Sequence, residues 1–159
     1  MSKIAIYPGT FDPITHGHSD IVRRATQLFD HVVIAVSENT HKNPVFDFDE
    51  RIALTTEVLA NNDCVEVKGF SNLLVDFARE QNADTIIRGL RAVSDLEYEF
   101  QLASMNRKLS SNIETIFLMP DEQYTYLSSS IVRQVASLKG DISDFVHPSV
   151  FQALTRKHN

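Results

Sequence analysis

Short β-branched apolar runs alternate with amphipathic helical stretches along the whole chain, and no other feature of the sequence restricts the fold so strongly. Residues 3–7, 31–36, 64–68, 85–87 and 114–119 have the length and apolar content of buried strands. Between them, an apolar stripe of Ile21, Val22, Ala25, Leu28 and Phe29 predicts a helix over 17–29. Asp47 and Glu50 form a capping-box pair ahead of a second helix with Phe48, Ile52 and Leu59 on one face. Residues 73–81 form a third, with Leu73, Leu74 and Phe77 inward. Ser94 and Glu97 open a long fourth helix in which Leu96, Phe100 and Ala103 recur at helical spacing. Residues 128–138 make a fifth, ended by Gly140, and Pro148 opens the last. Strict alternation of this kind requires right-handed crossovers, so the expected class is α/β, a parallel sheet covered by helices on both faces. No linker, repeat or low-complexity tract interrupts the pattern, which predicts a single domain over residues 1–159.

Sheets of this type bind ligands outside the carboxyl ends of their strands. The loops there are 8–18, 37–47, 69–72, 88–94 and 120–128, and they hold most of the residues able to do chemistry. Fifteen Lys+Arg against 21 Asp+Glu, a net charge of −6, argues against generic binding to nucleic acid or an anionic membrane. Any phosphate partner has to be held locally. The one cysteine, Cys64, offers neither a disulfide framework nor a zinc ribbon and fits a reducing, cytoplasmic setting. No apolar run approaches the roughly 20 residues of a membrane span, and a strand pattern from Lys3 replaces what a signal peptide would show.

Within those loops, Gly9 is expected to take an unusual backbone angle at a tight strand exit. Gly17 opens a helix whose free N–H groups make an anion site, and His18 lies in that first turn, either as a cap or as a ligand group. Thr10, Asp12 and Thr15 read equally as turn formers. His16 and His18 do not share a helix face and no Cys or carboxylate pair completes a cage, so no protein metal site is predicted. Ser128, Ser129 and Ser130 start a helix after a loop with Tyr124 and Tyr126; one serine suffices as a cap, leaving hydroxyls and N–H groups for a second phosphate. Arg88 and Arg91 bracket Gly89 at a strand end, where they read equally as two guanidinium forks clamping phosphate oxygens or as a solvated surface pair. Lys42 and Glu99, taken alone, read as solvated side chains. The dinucleotide and Walker glycine motifs are absent, as are a Ser-His-Asp order and a close carboxylate pair. What remains is convergent phosphate-binding capacity in an acidic chain, which suits a reaction between phosphates governed by positioning and charge stabilisation.

Gly9-Thr10-Phe11-Asp12-Pro13 followed by Thr15-His16-Gly17-His18 resembles the T/HxGH signature of nucleotidyltransferases. Arg88-Gly89-Leu90-Arg91, the helix with Tyr98-Glu99-Phe100 and Met105-Asn106-Arg107, and Ser128-Ser129-Ser130-Ile131-Val132-Arg133 narrow this to the bacterial phosphopantetheine adenylyltransferase family, from about residue 3 to 155. The resemblance implies a Rossmann-like, doubly wound five-stranded parallel sheet of order 3-2-1-4-5. It implies transfer of AMP from ATP to 4′-phosphopantetheine, giving dephospho-coenzyme A and pyrophosphate, with Mg²⁺ accompanying ATP. It assigns Thr10, Lys42, Leu74 and Arg88 to phosphopantetheine. To ATP it assigns Thr10, Phe11, His18, Gly89, Leu90, Arg91, Glu99 and the run Tyr124, Thr125, Tyr126, Leu127, Ser128, Ser129 and Ser130, with His18 stabilising the transition state. A homohexamer and inhibition by coenzyme A, which shares the substrate's arm, are implied as well.

Three other readings compete. A nucleotidyltransferase for nicotinamide mononucleotide or glycerol phosphate normally has a glycine before its serine motif, where this chain has Tyr126-Leu127-Ser128. A non-catalytic nucleotide sensor has no need of a second phosphate site, against which His18, Lys42, Arg88 and Arg91 speak together. A tRNA synthetase fragment shares the helix-start histidine, but a KMSKS-like motif is missing.

Overall fold

The computed structural model describes residues 1–40 and 43–159, so Lys42 lies outside the described residues. Five strands, β1 (Ile4–Gly9), β2 (His31–Ser37), β3 (Val65–Phe70), β4 (Thr85–Gly89) and β5 (Glu114–Leu118), pair in parallel in the order β3-β2-β1-β4-β5. Helices α1 (His16–Ala25), α2 (Phe48–Val58), α3 (Leu74–Glu80), α4 (Leu96–Leu109), α5 (Ser129–Ser137) and α6 (Pro148–Lys157) connect and cover them. The order matches the expectation, and the topology reverses between β1 and β4, where a crevice opens at the strand ends.

Strand periodicity sorts the core into two layers. Ala5, Tyr7, Val32, Ile34, Val36 and Ile87 face one side, against α1, α5 and α6 through Ile21, Val22, Val132, Val150 and Leu154. Their neighbours Ile6, Val33, Ala35 and Ile86 face the other, against Val75, Phe77 and Ala78 of α3.

Several local expectations are corrected. α1 stops at Ala25, short of residue 29, and Leu28 is exposed. Leu73 precedes α3 as its N-cap and is also exposed. α4 is capped by Asp95, whose side chain accepts from Tyr98 N–H, in place of Ser94. Its apolar positions are not core: Leu96, Phe100, Met105 and Leu109 are all about half exposed, and Phe100 meets the sheet edge-on at Phe117 of β5, with centroids 5.8 Å apart. No glycine has a positive φ; Phe11 (φ 51°) carries the turn after β1, and Gly9 is needed for space, since a Cβ there would lie 2.9 Å from the Phe11 ring. At the end of α5, Lys139 takes the left-handed conformation (φ 61°), and Gly140 follows it with its N–H on Val135 O at 2.9 Å.

Candidate active site

The crevice has two lobes. One, of about 320 Å³, lies over the ends of β1 and β4 and is lined among others by Tyr7, His18, Arg88, Gly89 and Glu99. The second, of about 360 Å³, is lined by Thr10, Asp12, Ser128, Ser129, Ser130 and Arg133. Arg91 borders both and joins them.

His18 is placed by the first turn of α1. Thr15 is the N-cap, and the two residues form a reciprocal capping box: the Thr15 hydroxyl accepts from His18 N–H at 3.4 Å, and Thr15 N–H donates to His18 Nδ1 at 2.9 Å. Accepting that bond leaves Nδ1 unprotonated, so the ring proton sits on Nε2. Burial, reinforced by the Arg91 guanidinium, pushes the His18 pKa down to about 3. The ring packs on Phe11 at 5.0 Å between centroids, which fixes its plane. Capping and site roles, alternatives at the level of sequence, therefore belong to different nitrogens of one ring. At neutral pH the cleft meets a neutral imidazole with one N–H to give.

Arg88 is not a free fork. Its Nε and Nη2 each donate to Glu99 at 2.8 Å, a bidentate pair across the first lobe with Glu99 nearly buried. Burial opposes the Arg88 charge, but the Glu99 carboxylate outweighs it and holds the pKa above its ordinary value. Three donors are left for a ligand, the two N–H groups of Nη1 and the second N–H of Nη2. Arg91 donates Nη1 to the Leu127 carbonyl, and its N–H to Ser94 Oγ at 2.9 Å, linking the β4 loop to the entrance of α5.

In the second lobe the three serines divide the work. Ser128 caps α5 by accepting from Ile131 N–H at 3.2 Å, Ser129 donates to Pro13 O at 2.8 Å, and Ser130 Oγ accepts from Arg133 Nη2 at 3.2 Å. The buried Asp12 carboxylate accepts the N–H groups of Val45 and Phe46, both at 2.9 Å, and Arg133 Nη1 donates to the Asp12 carbonyl at 2.7 Å. Beneath it, Arg51, only 2% exposed, donates to the carbonyls of Thr10, Ser37 and Phe46, tying the ends of β1 and β2 to the start of α2.

Thr10, His18, Arg88, Gly89, Arg91, Glu99 and the stretch Leu127–Ser130 are thus brought to the crevice. Phe11 is buried behind His18, Leu90 is held by its N–H on Leu118 O, and Thr125 O accepts from Ala92 N–H; none of the three lines either lobe. Tyr124 packs near His16, Tyr126 projects outward, and Leu74 lies against the α3 core layer, outside both lobes. Three residues of the site went unread. Tyr7 passes for the last position of a buried strand, and Arg51 for a solvated helix charge. Arg133 carries a readable signal: it stands three residues after Ser130, on the same face of α5.

Comparison with known proteins places this arrangement. Residues 6–135 match the family described as Cytidylyltransferase-like. In overall shape the chain is similar to a Vibrio parahaemolyticus protein assigned as a nicotinate-nucleotide adenylyltransferase, with a TM-score of 0.76 at 20% identity over 100% of this chain and 97% of that one. It is also similar to a Plasmodium falciparum nicotinic acid mononucleotide adenylyltransferase complexed with NaAD, with a TM-score of 0.72 at 15% identity over 98% and 96%. At those identities the likeness concerns the fold. A phosphopantetheine adenylyltransferase from Thiobacillus denitrificans is much nearer in sequence, 58% identical over 153 residues that cover 96% of each chain. By that identity over nearly its full length, the chain belongs to the phosphopantetheine adenylyltransferases, within the cytidylyltransferase-like family.

Proposed function

We propose that this chain transfers the adenylyl group of ATP to 4′-phosphopantetheine, releasing pyrophosphate and forming dephospho-coenzyme A. The observation that carries the reading is His18, a neutral Nε2–H donor set by its own capping box and flanked by Arg88 and Arg91. An oxygen of the acceptor phosphate attacks the α-phosphorus of ATP in line, and the bond from that phosphorus to the bridging oxygen breaks. Pyrophosphate leaves with the electron pair. The attacking oxygen is ionised at neutral pH, so no general base is required and the protein's share is positioning and charge stabilisation. His18 Nε2–H donates to the α-phosphoryl group as charge develops there, while the N-terminus of α5, with Ser129, Ser130, Arg91 and Arg133, receives the departing phosphates.

The acceptor phosphate sits by Arg88, and Lys42 is assigned to it by resemblance alone. Leu74 lies outside both lobes, so an arm reaching it has to run out of the crevice toward α3. Mg²⁺ belongs to this reading as part of the nucleotide substrate, as the family resemblance implies. No step is routed through it. We take residues 1–159 as one catalytic domain working in the cytoplasm; no described helix is long and apolar enough to cross a membrane. The uncovered apolar face of α4 supports assembly, and a homohexamer is our reading of it.

Pyrophosphate release with ATP and Mg²⁺ tests the function. Release is expected with 4′-phosphopantetheine and not with nicotinamide mononucleotide or glycerol phosphate. Preference for another acceptor overturns the substrate, and no acceptor-dependent release at all favours a nucleotide sensor. Coenzyme A, carrying the same arm, is expected to raise the apparent KM for phosphopantetheine; initial rates unchanged at millimolar coenzyme A contradict that.

A further inference from the structure

One side chain in the first lobe has no part in the scheme above. Tyr7, near the end of β1, is 6% exposed and lines the cavity with Arg88, Gly89 and His18. Its ring is held edge-on to Phe11 with centroids 5.5 Å apart. The hydroxyl has no hydrogen-bond partner among the described residues, yet it is not one of their sealed, unsatisfied polar atoms, which are Ser19 Oγ, Thr55 Oγ1 and His158 Nε2. It opens to the cleft beside Gly89, where a Cβ would stand 3.7 Å from the phenolic oxygen.

A phenylalanine would fill the same strand position and keep the edge-on contact with Phe11. The hydroxyl makes sense if something in the cleft accepts its proton. Burial holds the Tyr7 pKa well above the ordinary phenol value despite the opposing pull of Arg88 and then Arg91, so the group is a donor at neutral pH. Of the two guanidiniums Arg88 acts on it more strongly. Glu99 takes the Nε–H and one N–H of Nη2, so Arg88 meets a ligand only through its far end, the two N–H groups of Nη1 and the second of Nη2. A phosphate seated on that end keeps an oxygen turned away from Arg88, and Tyr7 lines the same lobe.

We propose that the Tyr7 hydroxyl is a substrate-binding group that donates a hydrogen bond to the acceptor's phosphate, completing with the far end of Arg88 the acceptor subsite of the first lobe. The assignment rests on the adenylyl-transfer reading for the identity of the acceptor.

Tyr7→Phe removes one oxygen and keeps the packing on Phe11. Calorimetric titration with 4′-phosphopantetheine and with pantetheine, which lacks the phosphate, isolates the contact. The parent chain is expected to favour the phosphorylated compound, and Tyr7→Phe to lose about ten- to a hundredfold of that preference, the scale of one hydrogen bond to a charged group. ATP affinity and melting temperature should stay at parental values. Parental phosphopantetheine affinity in Tyr7→Phe, an equal loss for pantetheine, or a loss confined to ATP each overturns the proposal. These readings do not require turnover, so a parent chain that binds phosphopantetheine but releases no pyrophosphate refutes the function and leaves the Tyr7 contact separately decided. If Tyr7→Phe melts well below the parent, 3-fluorotyrosine labelling of a chain in which Tyr98, Tyr124 and Tyr126 are phenylalanine gives a single resonance. A shift of that resonance with phosphopantetheine and not with pantetheine supports the contact, and no shift refutes it.

Discussion

Replacing His18 with alanine is expected to lower kcat roughly a hundred- to a thousandfold, about 2.7–4 kcal/mol of transition-state stabilisation, while ATP affinity changes far less. On the proposed reaction, the Nε2–H in the ground state would face an α-phosphoryl group whose charge is spread. As the bond to pyrophosphate breaks, the charge it faces grows, and a donor fixed in advance gains most at that moment. The ring is fixed by Thr15 and Phe11, so little reorganisation is needed. The capping box adds a second consequence. Removing the imidazole leaves Thr15 N–H without its acceptor, so His18→Ala should also lose stability on the scale of a cap, about 1 kcal/mol. His18→Gln places a residue suited to the same capping position and should recover the melting temperature without recovering turnover. Full kcat in His18→Gln together with low kcat in His18→Ala would show that holding the cap, and not donating to phosphate, is what turnover requires.

Arg51→Met is expected to cost about 2–4 kcal/mol of stability, which for a chain of this size lowers the melting temperature by roughly 4–16 °C. The side chain's three hydrogen bonds go to carbonyls at the ends of three different segments, Thr10, Ser37 and Phe46, and the bond to Phe46 is fully buried. Methionine fills much of the volume and keeps contact with the Phe48 ring, which lies 5.7 Å from the guanidinium carbon. It leaves the carbonyls unpaired. Arg51→Lys keeps the charge, loses the fork, and should fall between the two. Because Thr10 belongs to the second lobe, the acceptor and nucleotide affinities should weaken along with stability. Calorimetric melting of the two variants checks this, and an Arg51→Met chain that melts within about 2 °C of the parent contradicts it.

Strand identity was legible because buried parallel strands are continuous apolar runs, and those runs here are short and well separated; the order in the sheet came from the family resemblance alone. Their ends were less so. β4 continues through Arg88 and Gly89, which pair with Phe117 and Leu118, although a charged residue and a glycine look like the start of a loop. The stripe on α4 shows the limit of periodicity: Leu96 and Phe100 lie on one face as expected, but a stripe does not say whether the same chain covers it. Among the site residues, those in loops at strand ends were found because topology selects such loops. Tyr7 and Arg51 were missed because each imitates its surroundings, an aromatic in an apolar strand and a charge on a helix. The Arg88–Glu99 pair was equally hidden, since the two stand 11 residues apart and only the fold makes them partners.

The proposed reaction requires a neutral His18 with its proton on Nε2. Nitrogen-detected titration of the histidine rings measures both properties at once, and the His18 signal among the six histidines is identified by its loss in His18→Gln. The ring is expected to keep a protonated Nε2 and an acceptor Nδ1 unchanged from about pH 8 down to about pH 5, below the range in which an ordinary histidine titrates. A midpoint near the ordinary value of about 6.5, or a proton on Nδ1 at neutral pH, would contradict it.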